Sequence, residues 1–432
     1  MPSGSNNRNR VFANSFESTR LSPWLLSFGT SEKCARILFC FFIAMGLEES
    51  PAAEQLITEM NQGPPAAPYP PSSLVDKITW HWETLQSAAQ GSDLWPTTWG
   101  PDDHLYAAWG DGGGFGGSDT DGRVSLGFAR IQGRPEHFHG VNLNGGKNSE
   151  HPASFPRKGK TDGLLYDHGV LYTSINLQDG AWPDVNHVLA WSRDKATTWT
   201  QADWFFGKGP GAFEPAKFLA FGKDGSGVPS NLAGYIYLLG PKYETTATGR
   251  GTSLFLARAP RKRITQKNAM EFFAGTEKKD KPVWHQHFAE AQPVFTDTNG
   301  VAPGSIVYNR ALKRYLLACF HPGPGQLGVF EGVHPWGPWR TIGYYQDWGN
   351  MGAVGHGLSC EFPAKWMSED GLTLWTVFTV YGDGAKQGIK AHDRFNLLKA
   401  TLTLKDKDLQ RAGMVTSKAL KMNPGQTGAG LK

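Results

Sequence analysis

The most constraining feature of this sequence is a unit that recurs five times between residues 93 and 404. A short first strand turns into a second strand of aromatic and apolar residues; a polar or glycine-rich loop follows, and a third strand returns. The first copy reads "DLWPTTW", "GPDDH", "LYAAWGDG" and "VSLGFARI", and the second "TDGLLY", "DHG", "VLYTSINLQDG" and "HVLAWSRD". The third contains "EPAKFLAF", "YIYLLGPKYE" and "SLFLARAP". The fourth contains "GSIVYN", "RYLLACFHPG" and "LGVFEGVH", and the fifth "EFPAKWM", "LTLWTVFTVYGDG" and "FNLLKATL". With Tyr106, Tyr172, Tyr237, Leu316 and Trp375 taken as equivalent, the copies are 66, 65, 79 and 59 residues apart. Five strand-built repeats of this size predict an all-β chain, a five-bladed β-propeller with each blade a small antiparallel sheet around a central channel. A β-sandwich, the bland alternative, does not need five matching copies. Fourth strands are expected at 198–206 and 335–345. The 53 glycines, 28 prolines and 16 tryptophans, with 19% charged residues, suit short strands joined by tight turns.

Outside the repeats the sequence divides simply. Residues 1–50 are an extension with a signal-peptide-like segment: Lys33 and Arg36 precede the apolar run "ILFCFFIA" (37–44), and Ala44 and Gly46 have the small-residue spacing of a cleavage site. That run is shorter than the roughly 20 residues a bilayer span needs, so export rather than stable membrane insertion is expected. Residues 51–74 read as a Pro- and Ala-rich linker, 75–404 as the repeat domain, and 405–432 as a polar tail. A net charge of +4 with scattered basic residues excludes a nucleic-acid footprint. Cys34 and Cys40 fall inside the leader. Cys319 and Cys360 remain, and the sequence leaves open whether they pair or stay as buried thiols.

The repeat decides which polar groups can meet. In each unit the start of the first strand and the end of the second lie at the same rim. Asp93 begins the first strand of unit one and Asp111 ends the second, each nine residues from Asp102 in the turn. A symmetric hairpin sets them opposite each other, with Cβ atoms roughly 5 Å apart. The same geometry sends Asp162, Glu214 and Glu361 to that rim from other first strands, and Gln178, Asp179, His321 and Asp383 from second strands. Trp95, Trp99, Trp109, Phe115 and Trp182 are candidates to line the rim or pack beneath it. Carboxyls among aromatic faces suit a sugar polymer, whose rings offer flat apolar patches and whose glycosidic bonds yield to paired acids. The glycines of "WGDGGGFGG" (109–117) are expected to let such a chain approach closely.

Other chemistries lack support. Gly112, Gly114 and Gly117 satisfy a dinucleotide fingerprint, but turn residues and a strand follow rather than a helix. His137 and His139 have the spacing of strand alternation, and no nearby ligand completes a zinc site. "SDTDG" (118–122) lacks the later ligands of a calcium loop. His356 enters the fifth unit near the channel, where a histidine can help hold a cation, so a channel-bound calcium ion is allowed but no cofactor is required.

The stretches "SDLWPTTWGPDDHLYAAWGDGGGF", "VSLGFARI", "YNRALKRYLLACF", "PWGPWRTIGYYQDWG" and "EFPAKWMSEDGLTLWTVF" resemble a bacterial domain-of-unknown-function family of five-bladed propellers similar to endo-D-arabinanases. The resemblance covers roughly residues 75–404 and is most specific in the first and last units. It implies an exported enzyme that cleaves furanoside or related glycan links, with Asp93 and Asp111 as the catalytic pair and Glu214 as the nearest match to a third-unit proton donor. Trp95, Trp99, Trp109, Phe115, Asp162, Glu361 and His321 are the substrate-binding candidates. Where "SDNW" is expected, this chain has "SDLW", which removes a polar group beside Asp93; identical substrate contacts are therefore not implied. The alternative is a glycan-binding propeller without catalysis.

Overall fold

The computed structural model describes residues 66–155, 159–178, 186–243, 251–321, 327–350, 356–381 and 389–405. The leader-like segment, Asp179, Trp182, Asp383 and the tail beyond 405 lie outside the described residues.

The described chain is all-β, its helical content confined to single 3-10 turns. Strand β1 (Val75–Ala88) comes first, and four consecutive up-and-down groups follow it. The first group is β2 (Thr97–Trp99), β3 (Leu105–Gly110), β4 (Leu126–Arg134) and β5 (His137–Asn144). The second is β6 (Lys160–Asp167), β7 (Val170–Asn176), β8 (His187–Ser192) and β9 (Thr200–Gln201). The third is β10 (Lys217–Ala220), β11 (Tyr235–Pro241), β12 (Ser253–Pro260), β13 (Glu271–Thr276) and β14 (Pro282–His285), with β15 (Phe295–Thr296) paired to β12. The fourth is β16 (Ala302–Asn309), β17 (Arg314–Phe320), β18 (Leu327–His334) and β19 (Gly337–Tyr345). A fifth unit forms from β20 (His356–Glu361), β21 (Thr373–Tyr381), β22 (Phe395–Leu404) and, as its outer strand, β1.

The first strand of each unit lies against the first strand of the next, from β2 through β6, β10 and β16 to β20. Between units three and four this contact is a parallel pairing, Leu219 to Ile306 and Ala220 to Val307. Ser359 Oγ of β20 donates to the Leu94 carbonyl just before β2, joining the last unit to the first. The second strands that carry the five equivalent positions are apolar because they are covered on both sides. Every residue of β3 and of β7 is buried, the pattern of a strand with no solvent face. Turn chemistry sets register locally. His168 and Gly169, both at positive φ (50° and 78°), make the two-residue turn that pairs Asp167 with Val170.

Three expectations about strands need correction. In unit five the first strand is His356–Glu361, and "AKW" (364–366) is a 3-10 turn; Pro363 lacks the amide a continuing ladder requires. The edge strand expected at 198–206 shrinks to Thr200–Gln201, because the chain then leaves the sheet so that Trp204 can donate Nε1–H to Thr265 O at 2.8 Å and stack edge-on with Phe206. Of the stretch read as linker, Pro70 to Ser72 runs along β19, with Ser72 N donating to Thr341 O at 2.8 Å and Thr341 N to Pro70 O at 2.9 Å. Cys319 and Cys360 are free thiols, both buried.

Candidate active site

Asp93 and Asp111 reach the same rim, held by different elements. Asp93 exchanges both backbone hydrogen bonds with Gly110, at 2.9 and 3.1 Å. Within β2 and β3 the register pairs Thr97 with Ala107, which on its own sets Asp93 opposite Asp111. Leu94 and Trp95, both at positive φ (71° and 59°), take up one residue between the two pairings. The bulge moves Asp93 one position along, so the acids are diagonal neighbours rather than directly opposed.

Their surroundings differ sharply. Asp93 Oδ1 is enclosed and has no hydrogen-bond partner. Burial pushes this carboxyl up to about 8; Lys160 pulls the other way, and Asp393, Asp111 and Asp162 add to the rise. At neutral pH it is an acid holding its proton. Asp111 is more open, with 39% of its side chain exposed, and two cations meet it. Lys160 Nζ lies 2.5 Å and Arg123 NH2 3.2 Å from Oδ1. Both make their closest approach to the same oxygen, Oδ1. Burial likewise raises Asp393, whose backbone oxygen accepts from Gly91 N at 2.7 Å and Ser92 N at 3.2 Å, tying the Asp93 segment to unit five.

Beneath the rim lies a cavity of about 20 Å³ whose lining includes Thr97, Asp162, Lys217, Ser305 and Glu361, one from the first strand of each unit. It has room for roughly one water molecule. Lys217 Nζ donates to Glu361 Oε1 at 2.8 Å, and both side chains are buried. Burial raises Glu361 to about 7, opposed by Lys217 and reinforced by Asp162. Asp162 occupies the irregular position between Thr161 and Gly163 in β6. Glu361 thus faces an ammonium group inside this cavity. Among the described residues no three His, Cys, Asp or Glu side chains gather as a metal site.

The remaining candidates fall elsewhere. Glu214 stands just ahead of β10, its amide donating to Pro241 O at 3.0 Å; the charges that weigh most on Asp93 do not include it. Trp95 and Trp109 are sealed from solvent, stacked with centroids 5.5 Å apart, their indole N–H groups donating to Ser92 O and Gly112 O. They hold the site from below and present no face to a sugar. Half-buried Phe115 packs against Trp95 at 5.2 Å and Phe395 at 5.6 Å. Trp99 sits at the far end of β2, its Nε1 donating to Asp103 with Lys365 5.5 Å from its ring. His321 is buried at the end of β17, with Nδ1 3.2 Å from Asp297 Oδ2 and 3.1 Å from Gly300 O. Burial lowers its pKa, which suits a core histidine.

The glycine run also packs differently from the expectation. A Cβ on Gly112 would fall 1.9 Å from Gly91 O, on Gly113 2.0 Å from Asp121 O, and on Gly117 2.5 Å from Gly113 O. These glycines let the loop fold on itself and onto the segment that carries Asp93; of the run, Gly116 alone faces open space. His137 and His139 lie exposed on the outer strand β5. Sequence reasoning missed Lys160, Lys217, Arg123 and Asp393. For Lys160 and Lys217 the available signal was a lysine starting an inner strand, since lysine is rarely buried without a partner.

Residues 170–350 match a family model described as "Domain of unknown function (DUF4185)", which runs from the second strand of unit two through unit four and agrees with the resemblance drawn from the sequence. Among curated proteins nothing matches. Solved structures similar to this chain include a GH43_1 enzyme from Xanthomonas citri, at 12% identity and TM-score 0.41, over 76% of this chain and 93% of that one. An α-L-arabinofuranosidase from Podospora anserina, solved with cellotriose, matches at 12% identity and TM-score 0.41, over 77% of this chain and 99% of its own. A family 117 glycoside hydrolase from Zobellia galactanivorans matches at 9% identity and TM-score 0.39, over 76% and 91%. No helix among the described residues is long and apolar enough to cross a membrane.

Proposed function

We propose that the five units close as a five-bladed β-propeller, and that the protein is an exported glycoside hydrolase acting on a polysaccharide with furanoside, arabinan-like linkages. Ring closure is supported by the shared cavity and by the bond from Ser359 to Leu94. The observation that carries the activity is the contrast between two neighbouring acids, one enclosed and protonated, the other open and held by cations. Environments that push paired carboxyls apart assign the acid and its partner.

In this reading the Asp93 O–H gives its proton to the glycosidic oxygen as the bond from that oxygen to the anomeric carbon breaks. Asp111 either attacks the anomeric carbon or takes a proton from the water that does so. Hydrolysis consumes one water and returns both carboxyls to their starting states. Glu214 is the alternative donor. The leader-like segment at 33–46 supports export, and the family resemblance supports the furanoside class.

The engagement of Asp111 Oδ1 by two cations favours a second reading, glycan binding without cleavage. Digestion of a panel of purified polysaccharides, with Asp111→Asn in parallel, separates the two. New reducing ends from the wild type alone support hydrolysis. Binding without new reducing ends supports the second reading, and full activity in Asp111→Asn refutes the catalytic assignment.

A further inference from the structure

Lys160 is the first residue of β6 and only 11% of its side chain is exposed. Its ammonium is 2.5 Å from Asp111 Oδ1 and 3.4 Å from Ser125 O. Its stem runs past Gly110: a Cβ added there would fall 2.6 Å from Lys160 Cδ and 2.6 Å from Asp93 Oδ1. One side chain from unit two therefore occupies the space that both unit-one acids border, and glycine at 110 leaves that space open. Nothing in the repeat demands a lysine here, and burying an ammonium is costly without a partner.

We propose that Lys160 is the positioning residue of the carboxyl pair: its ammonium anchors Asp111 through Oδ1 while its stem packs beside Asp93, fixing the two acids in their diagonal arrangement. This rests on the glycosidase reading. The other charges are disposed around it. Arg123 shares Asp111 Oδ1, and Asp119 pairs with Arg123. Asp393 and Asp162 bear on Asp93, and His392 pairs with Asp393 at 3.2 Å. Lys160 is the cation among the groups that weigh most on Asp93. Arg123 can hold Asp111 alone but does not replace Lys160 beside Asp93.

The test is Lys160→Met, which keeps most of the length of the side chain without its charge, beside Lys160→Arg and Asp93→Asn. Loss of the ammonium lowers kcat/KM at neutral pH by about 10²-fold or more. It also carries the alkaline limb of the pH–rate profile upward by about one pH unit or more. Lys160→Arg keeps the limb near its wild-type position even if turnover falls. The ¹³C carboxyl resonance of Asp93, identified by its loss in Asp93→Asn, titrates upward in Lys160→Met by the same amount without any need for activity. A merely structural lysine lowers turnover and leaves both the limb and the resonance in place; that result overturns the proposal. Where the methionine variant does not fold, Lys160→Gln carries the same comparison. Full activity in Asp93→Asn is a different failure: it strikes the glycosidase reading itself and leaves the Asp93 titration to judge Lys160.

Discussion

Replacing Asp93 by asparagine removes one proton site from the fold, and the effect on stability follows from its surroundings. Burial carries this carboxyl from 3.8 to about 8. At about 1.36 kcal/mol for each pH unit between folded and unfolded values, the gap sets an upper bound of about 6 kcal/mol on what an ionised Asp93 costs the folded state. The sign is fixed by proton counting. Between about pH 4 and pH 8 the folded chain retains a proton that the unfolded chain has released, so stability falls as pH rises through that window and levels off above it. Asparagine is nearly isosteric and has no proton to lose. Urea unfolding of wild type and Asp93→Asn from pH 5 to pH 9 reads the difference directly. The variant's advantage should grow by several kcal/mol up to about pH 8 and then stop growing. A difference that does not change with pH, or one that grows as pH falls, refutes an enclosed, protonated Asp93.

Other outcomes follow from the same geometry. Lys217→Met strands Glu361 in the cavity and, by removing the cation that opposes its rise, lifts its carboxyl further. Unfolding measurements should show a loss of about 3–5 kcal/mol at high pH that shrinks as pH falls towards about 7, below which Glu361 is protonated in both proteins. Gly110→Ala forces a methyl into the space between Asp93 and Lys160, and steady-state kinetics should show at least about a tenfold fall in kcat. Trp95→Ala empties a sealed core position, so thermal unfolding should report a loss of about 3–5 kcal/mol. Trp99→Ala, at a half-buried position on the other end of β2, should cost distinctly less.

The all-β class and the order of its strands were legible because their cause is local. Alternating aromatic and apolar stretches between turn residues have to become strands, and all five equivalent positions do lie on second strands. The proximity of Asp93 and Asp111 was legible for the same reason: a hairpin brings its ends together. What escaped the sequence was whatever depends on contacts between units. Val75–Ala88 carries no mark that its partner is β22, more than 300 residues away. Lys160 and Lys217 belong to units two and three but act on acids of units one and five. The bulge at Leu94 and Trp95 needs left-handed backbone at two residues without the glycine or asparagine that announces it. Trp95 and Trp109 seemed fit for a sugar-binding rim because composition records an aromatic face but not what covers it. The glycines after Asp111 are required by contacts within the loop, which a pattern of letters does not display.

The most direct test is the pH dependence of kcat/KM on whichever polysaccharide the panel shows to be cleaved. kcat/KM should hold a plateau near neutral pH and fall tenfold per pH unit above about 8, where Asp93 gives up its proton. Turnover that continues unchanged to pH 10, or survives in Asp93→Asn, contradicts it.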